Sequence, residues 1–287
     1  MQASGRSSLH VRTVRWRLPG RLSREVAMAY DGGLLVAGGL QPGDVSSDQV
    51  WHIDPGTGAR TRLGTLADAV HDAAGGVLQG RPTVLGGGAS SSLSVVQQRR
   101  ARWRVTGHLP GPRSDLSATT QDNGLVVVGG YDGVHSPRTV LETGDGRQFH
   151  VVARLPHGVR YAGVAALHGQ VWVLGGEENG RELREVYRVD PVTGRVTRAG
   201  RLPGPLGHEA VVAVGDRLLV LGGRPTTDTA TDQMWWFNPS TGGWRRAGRL
   251  PYPVAEAPAV TFGGATYLLG GETPSFTSRV TRLRWSR

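Results

Sequence analysis

Leu34-Leu35-Val36-Ala37-Gly38-Gly39 is an apolar run closed by two glycines, and the pattern returns five more times along the chain. The later copies end at Gly86-Gly87, Gly129-Gly130, Gly175-Gly176, Gly222-Gly223 and Gly270-Gly271. Their first glycines lie 48, 43, 46, 47 and 48 residues apart. A period of this size is the signature of a repeat architecture. Six units of about 47 residues fill the 287-residue chain and leave no room for a second domain.

Each unit has a common grammar. A leucine stands 20 residues before the first glycine in every copy: Leu18, Leu66, Leu109, Leu155, Leu202 and Leu250. That fixed distance predicts a rigid unit of two strands joined by a tight turn. The first strand is expected at 26–30, 116–120, 164–167, 210–214 and 258–262. Gly-bearing turns such as Asp31-Gly32-Gly33, Asp122-Asn123-Gly124 and His168-Gly169 follow it, and turns of this kind close hairpins. The second strand is the apolar run, continuous enough to be buried on both faces. A third strand is expected at 50–53, 93–96, 139–141, 186–189, 234–237 and 280–283. Three of these lead into Asp54-Pro55-Gly56-Thr57-Gly58, Asp190-Pro191-Val192-Thr193-Gly194 and Asn238-Pro239-Ser240-Thr241-Gly242. There Pro fixes φ, the Asx side chain caps the backbone and Gly takes positive φ.

The termini are complementary. The last copy stops after its third strand, and the chain begins with a fourth-strand segment, 11–17, that has no third strand before it. Pairing the two closes a ring of six four-stranded antiparallel sheets and removes the open edges of a linear array. Residues 9–287 form one domain in this reading, with 1–8 a disordered or appended terminus.

Composition narrows the chemistry. The net charge is +10, and all 33 basic residues are arginine, a bias that matches GC-rich, bacterial-like coding. Such charge favours anionic partners in general. There is no cysteine, which excludes disulfides, thiolate metal sites and cysteine nucleophiles. Residues 1–10 lack the apolar core of a signal peptide, and no stretch is long and apolar enough for a membrane helix. The compartment is left open, a removed leader included. The chain holds no Gly-x-Ser-x-Gly elbow, no phosphate-binding Gly-x-x-x-x-Gly-Lys and no His-Glu-x-x-His.

Diglycine after a hydrophobic strand, an aromatic in the third strand, Asp-Pro-x-Thr-Gly, then Trp and Leu-Pro is similar to the kelch repeat, over residues 9–287. Arg12, Arg60 and Val196 depart from the Trp that kelch repeats prefer in the fourth strand. Trp16 stands where the other copies have Gly or Ala. The resemblance implies an all-β, six-bladed β-propeller whose channel mouth receives partners. It also includes galactose oxidase, whose copper site needs a cysteine this chain lacks.

The leucine register aligns the copies without guesswork. Six residues after each leucine stand Arg24, Asp72, Asp115, Tyr161, His208 and Glu256. Residues of these types make up about a quarter of the chain, so six of six is a rare coincidence. In a propeller this column rings one mouth of the central channel. Its variety suits an asymmetric polar ligand, and a solvated rim is the alternative. The residues after each diglycine add Tyr131, Glu177, Arg224 and Glu272 as a second layer, with Leu40 and Gly88 in the other two copies.

Two loops carry Asp44 with Asp48 and Asp228 with Asp232. Turn capping explains these pairs better than a metal, so neither metal nor cofactor is expected. Seventeen arginines fall in the fourth-strand segments and the turns after them, forming a belt around the circumference. Protection of the outer edges explains the belt better than nucleic acid or an anionic membrane. The expected function is a non-catalytic binding or scaffold module, monomeric, taking a protein, peptide or small polar or sugar ligand at the mouth. The alternative is a carbohydrate-active enzyme resembling the kelch-type sialic acid mutarotases, with Arg24 holding a carboxylate and His208 and Glu256 as acid and base.

Overall fold

The computed structural model describes residues 9–122 and 124–285. Residues 1–8, Asn123 of the third-copy turn, and Ser286 and Arg287 lie outside the described residues. Six four-stranded antiparallel sheets form the blades of a propeller, with two short two-stranded ribbons beside them. The first blade runs from the channel outward as Val26–Tyr30, Gly33–Ala37, Gln49–Ile53 and Arg60–Thr65. The sixth comprises Ala259–Phe262, Ala265–Leu269 and Val280–Trp285, and its outer strand is Leu9–Thr13 from the start of the chain. Leu9 lies opposite Trp285 and Thr13 opposite Thr281, which closes the ring as expected.

The core is divided among the six blade interfaces. One apolar cluster fills each gap, such as Leu34, Val36 and Ile53 of the first blade against Val260, Tyr267 and Leu269 of the sixth. The marker leucines are 1–4% exposed and sit where each outer strand crosses to the next blade. The second strands, Leu34–Ala37 or Leu125–Val128 for example, are buried throughout because another blade covers each face.

The diglycine has a definite task. Its second glycine donates its N–H to a carbonyl of the neighbouring blade, as from Gly39 to Val70 at 2.7 Å and from Gly130 to Val159 at 2.8 Å. The first glycine passes the same carbonyl so closely that a Cβ on Gly129 would lie 2.0 Å from the Val159 oxygen. Both glycines adopt positive φ in all six copies. Close approach and left-handed backbone together exclude any side chain there.

The capped turns form as expected. The Asp54 carboxylate accepts from the Gly56 and Thr57 amides at 2.7 and 3.0 Å, and Asp190 does the same for Val192 and Thr193. Several strand boundaries differ from expectation by one or more residues. The third strand of the second blade is Val95–Arg99 rather than 93–96, because the Leu93 backbone is taken up by Gly87 and Arg113. The inner strand of the third blade is Ser117–Gln121, one residue later than expected. The N-terminal strand ends at Thr13 rather than Arg17. Elsewhere the outer ladder slips by one residue just before the position two ahead of the leucine, where Gly64, Gly107, Ala153, Gly200 and Gly248 are the last paired residues before the bulge. Trp16 holds that position in the first copy. It leaves the ladder to stack on Tyr267 and to donate to the Pro55 carbonyl.

Candidate functional site

The inner strands meet around the axis, where no further strand can pair with them. The residues two or three positions ahead of these strands solve this with one another. The Asp72 amide donates to the Arg24 carbonyl, Asp115 to Asp72, Tyr161 to Asp115, His208 to Tyr161, Glu256 to His208 and Arg24 to Glu256, all at 2.9–3.1 Å. This is a closed ring of six backbone hydrogen bonds, one from each blade. It satisfies groups that would otherwise be orphaned on the channel wall.

Every member of the ring is left-handed, with φ of 59, 50, 57, 54, 60 and 58° from Arg24 to Glu256. Asp enters this region readily, whereas Arg, Tyr, His and Glu pay on the order of 1 kcal/mol each. Glycine would make the same ring without strain. The sequence instead holds six ionisable or phenolic side chains there, which is a reason to look to the side chains for the site's purpose.

Those side chains form one continuous network. Arg24 lies 3.1 Å from Asp72, 3.6 Å from Glu256 and 3.2 Å from Glu272, and Arg224 holds the other oxygen of Glu272. His208 approaches Glu256 to 2.5 Å through Nδ1, in contact but out of hydrogen-bond alignment, and reaches Glu177 at 3.5 Å through Nε2. Tyr161 stacks on the His208 ring with centroids 4.0 Å apart. Arg160 joins Glu177 to Asp115 and lies 5.4 Å over both the Tyr131 and Tyr161 rings. All ten residues singled out in the sequence are therefore brought together at one end of the channel.

Burial and charge pull the ionisations apart. Burial opposes a charged His208, but Glu256 and Glu177 outweigh it and raise the imidazole to about 9. His208 and Arg160 hold Glu177 down at about 2 against its burial. Glu256 is also held below the usual carboxylate range, since His208 and Arg24 overcome its desolvation. On the opposite side burial wins. Asp72 is pushed well above its ordinary value despite Arg24, and Asp115 rises despite Ser114 and Arg160. The mouth thus has an ion-paired side centred on His208 and a side of under-compensated carboxylates.

Arg160 and His71 belong to the site but were not singled out in the sequence. Both stand one residue before the ring column, among Ser23, Ser114, Gly207 and Ala255. This column pairs with the second layer through single bridges, Arg160 with Glu177 and Ser114 with Tyr131 among them. The signal was a large charged residue where most copies have a small one. In the metal-candidate loops, Asp232 accepts from Arg249 at 2.8 and 3.0 Å.

Residues 159–203 and 205–251 each match the family description Kelch motif, and they coincide with the fourth and fifth repeats. Kelch repeat and BTB domain-containing protein 13 of Homo sapiens is 31% identical over 150 residues, half of this chain and 32% of that protein. Kelch-like protein 35 of Homo sapiens is 29% identical, covering 46% of this chain and 23% of its own. Beta-scruin of Limulus polyphemus is 27% identical, with 53% of this chain and 17% of its own covered. The chain spans about a third or less of these relatives' length. The solved structure of YjhT superposes with a TM-score of 0.79 at 14% identity, over 94% of this chain and 98% of that one, a likeness of fold. The repeat, its ring closure and the matched motifs all refer to one unit: the chain is a kelch-repeat β-propeller.

Proposed function

We propose that the protein is a binding module whose channel mouth receives a polar ligand or a segment of a partner protein. The observation that carries this reading is the ring itself. Six functionalised side chains are held in left-handed backbone at the one place where all blades converge. The Kelch-named relatives match part of this chain within much longer proteins, which suits a module that works beside other domains.

The network's ionisation supports binding over proton exchange. A general acid or base works best with a pKa near the operating pH, whereas His208 is held at about 9 between two carboxylates. Arg24 is already shared among three carboxylates, and a substrate carboxylate would have to displace them.

Random-sequence peptides selected on the wild-type protein test the proposal. Selected peptides are expected to lose at least about tenfold in affinity, about 1.4 kcal/mol, against folded Arg24→Lys, His208→Gln and Glu256→Gln variants. The outer-strand variant Arg62→Ala should bind them normally. Equal binding to all four variants overturns the mouth as the site. Turnover of free sugars with a bell-shaped pH profile lost in His208→Gln would replace this reading with the enzymatic one.

A further inference from the structure

The channel behind the ring is a cavity of about 230 Å³, smaller than the roughly 300–1,000 Å³ of pockets for drug-sized ligands. It has room for one side chain. Its lining includes five acidic residues, Glu25, Asp72, Asp115, Glu209 and Glu256, against the basic residues Arg24 and His208. A chain of net charge +10 therefore encloses an acidic well. Exposed charges beyond about 8 Å are largely screened at physiological ionic strength, so the distant arginine belt adds little field in the channel.

Two of the five carboxylates stand apart. Glu25 and Glu209 are 4% and 7% exposed. Neither oxygen of Glu25 has a hydrogen-bond partner among the described residues. Among the described residues Glu209 accepts the Gly163 amide through Oε1, and its Oε2 has no hydrogen-bond partner. The same position in the other blades holds Ala73, Leu116, Ala162 and Ala257, so the fold does not require an acid there. An unpaired buried carboxylate costs free energy that an incoming hydrogen-bonding cation would recover.

We infer that the channel takes a single cationic group, an alkyl ammonium or guanidinium, delivered through the ring from a partner segment to Glu25 and Glu209, with Asp72 and Asp115 in the same lining. This rests on the reading of the mouth as a binding site. The anchoring acids have their own protons to lose. Burial raises Glu25 and Glu209 to about 8, Glu25 with a further contribution from the facing Glu256, while His208 lies beside Glu209. A cation among them favours their charged forms, so binding near neutral pH releases protons.

Four blocked pentapeptides, Gly-Gly-X-Gly-Gly with X as arginine, lysine, citrulline or glutamate, test this by calorimetry in buffers of different ionisation enthalpy and by amide shifts of the ring. The arginine and lysine peptides should shift the ring signals and release protons. Citrulline, which keeps the shape of arginine without its charge, and glutamate should bind at least about tenfold more weakly. Glu25→Gln/Glu209→Gln should weaken the arginine peptide by a similar factor and remove most of the proton release. Should that variant fold poorly, the arginine–citrulline comparison on the wild type decides alone. Tighter binding of the peptide than of agmatine assigns the cation to a partner segment, and the reverse assigns it to a free amine. Equal binding of arginine and citrulline, or preference for glutamate, overturns the cation while leaving a polar-ligand mouth intact. No response of the ring to any peptide overturns both.

Discussion

At the inner edge of the blades Arg24 lies within 3.6 Å of three carboxylates, and every charge has a neighbour of opposite sign or is buried. At the outer edge Arg12 stands directly opposite Arg282, and Arg60, Arg62, Arg104, Arg198, Arg245 and Arg246 are exposed. The repeat supplies both edges, yet charge acts differently at each. Inside, low dielectric and short distances make each ionisation depend on the others. Outside, water screens the arginines, and their use is to keep edges from pairing. The sum of charges is thus a poor guide to what the protein meets at its channel.

Removing Arg24 is the largest effect expected of a single substitution at fixed pH. Arg24→Ala leaves Asp72 and Glu256 buried beside each other without their shared cation, which costs about 3 kcal/mol. In a chain of this size that lowers Tm by roughly 5–10 °C. A thermal melt at neutral pH checks it, and a drop of under 2 °C, roughly 1 kcal/mol, would place the network among surface ion pairs of little weight.

The buried glutamates come next, through pH. Glu25 and Glu209 rise from 4.5 when unfolded to about 8 when folded. Their stabilising contribution is therefore complete below pH 4.5 and is lost as pH climbs to 8, about 3 kcal/mol for each by neutrality. His208 adds a loss between its unfolded value of 6.5 and about 9. Glu177 acts at the other end, losing its contribution as pH falls from 4.5 to about 2. Tm should consequently decline between pH 5 and 9, and Glu25→Gln/Glu209→Gln should flatten the lower part of that decline. An unchanged slope in the variant would show that these acids ionise freely.

At the circumference the effects are smallest. Arg12→Glu turns a like-charge cross-strand pair into an attractive one and should stabilise by a few tenths of a kcal/mol. A loss of several degrees in Tm from this change would make the belt structural and dissolve the contrast between the two edges.

Much of this was legible in the primary structure because the repeat is rigid where the blades touch. Leu18 and its counterparts are nearly buried at every crossing, and both glycines face a neighbouring backbone, so insertions gather in the loops and the columns stay aligned. The ring column could be read for the same reason. Arg160 was harder, since its column mixes Ser, His, Gly and Ala and shows no common chemistry. Trp16 looked like a weak repeat until the outer-strand bulge gave its position a meaning.

The sequence by itself determined the six blades, the closure by the first strand and the column of residues at the mouth, because hydrophobic period and glycine placement answer to local sterics. Only the tertiary structure decided that this column is a closed left-handed hydrogen-bonded ring, that Glu25 and Glu209 lie without adequate partners behind it, and that an acidic well sits inside a basic protein. Those properties depend on distances between residues of different blades, and such distances exist only once the ring has closed.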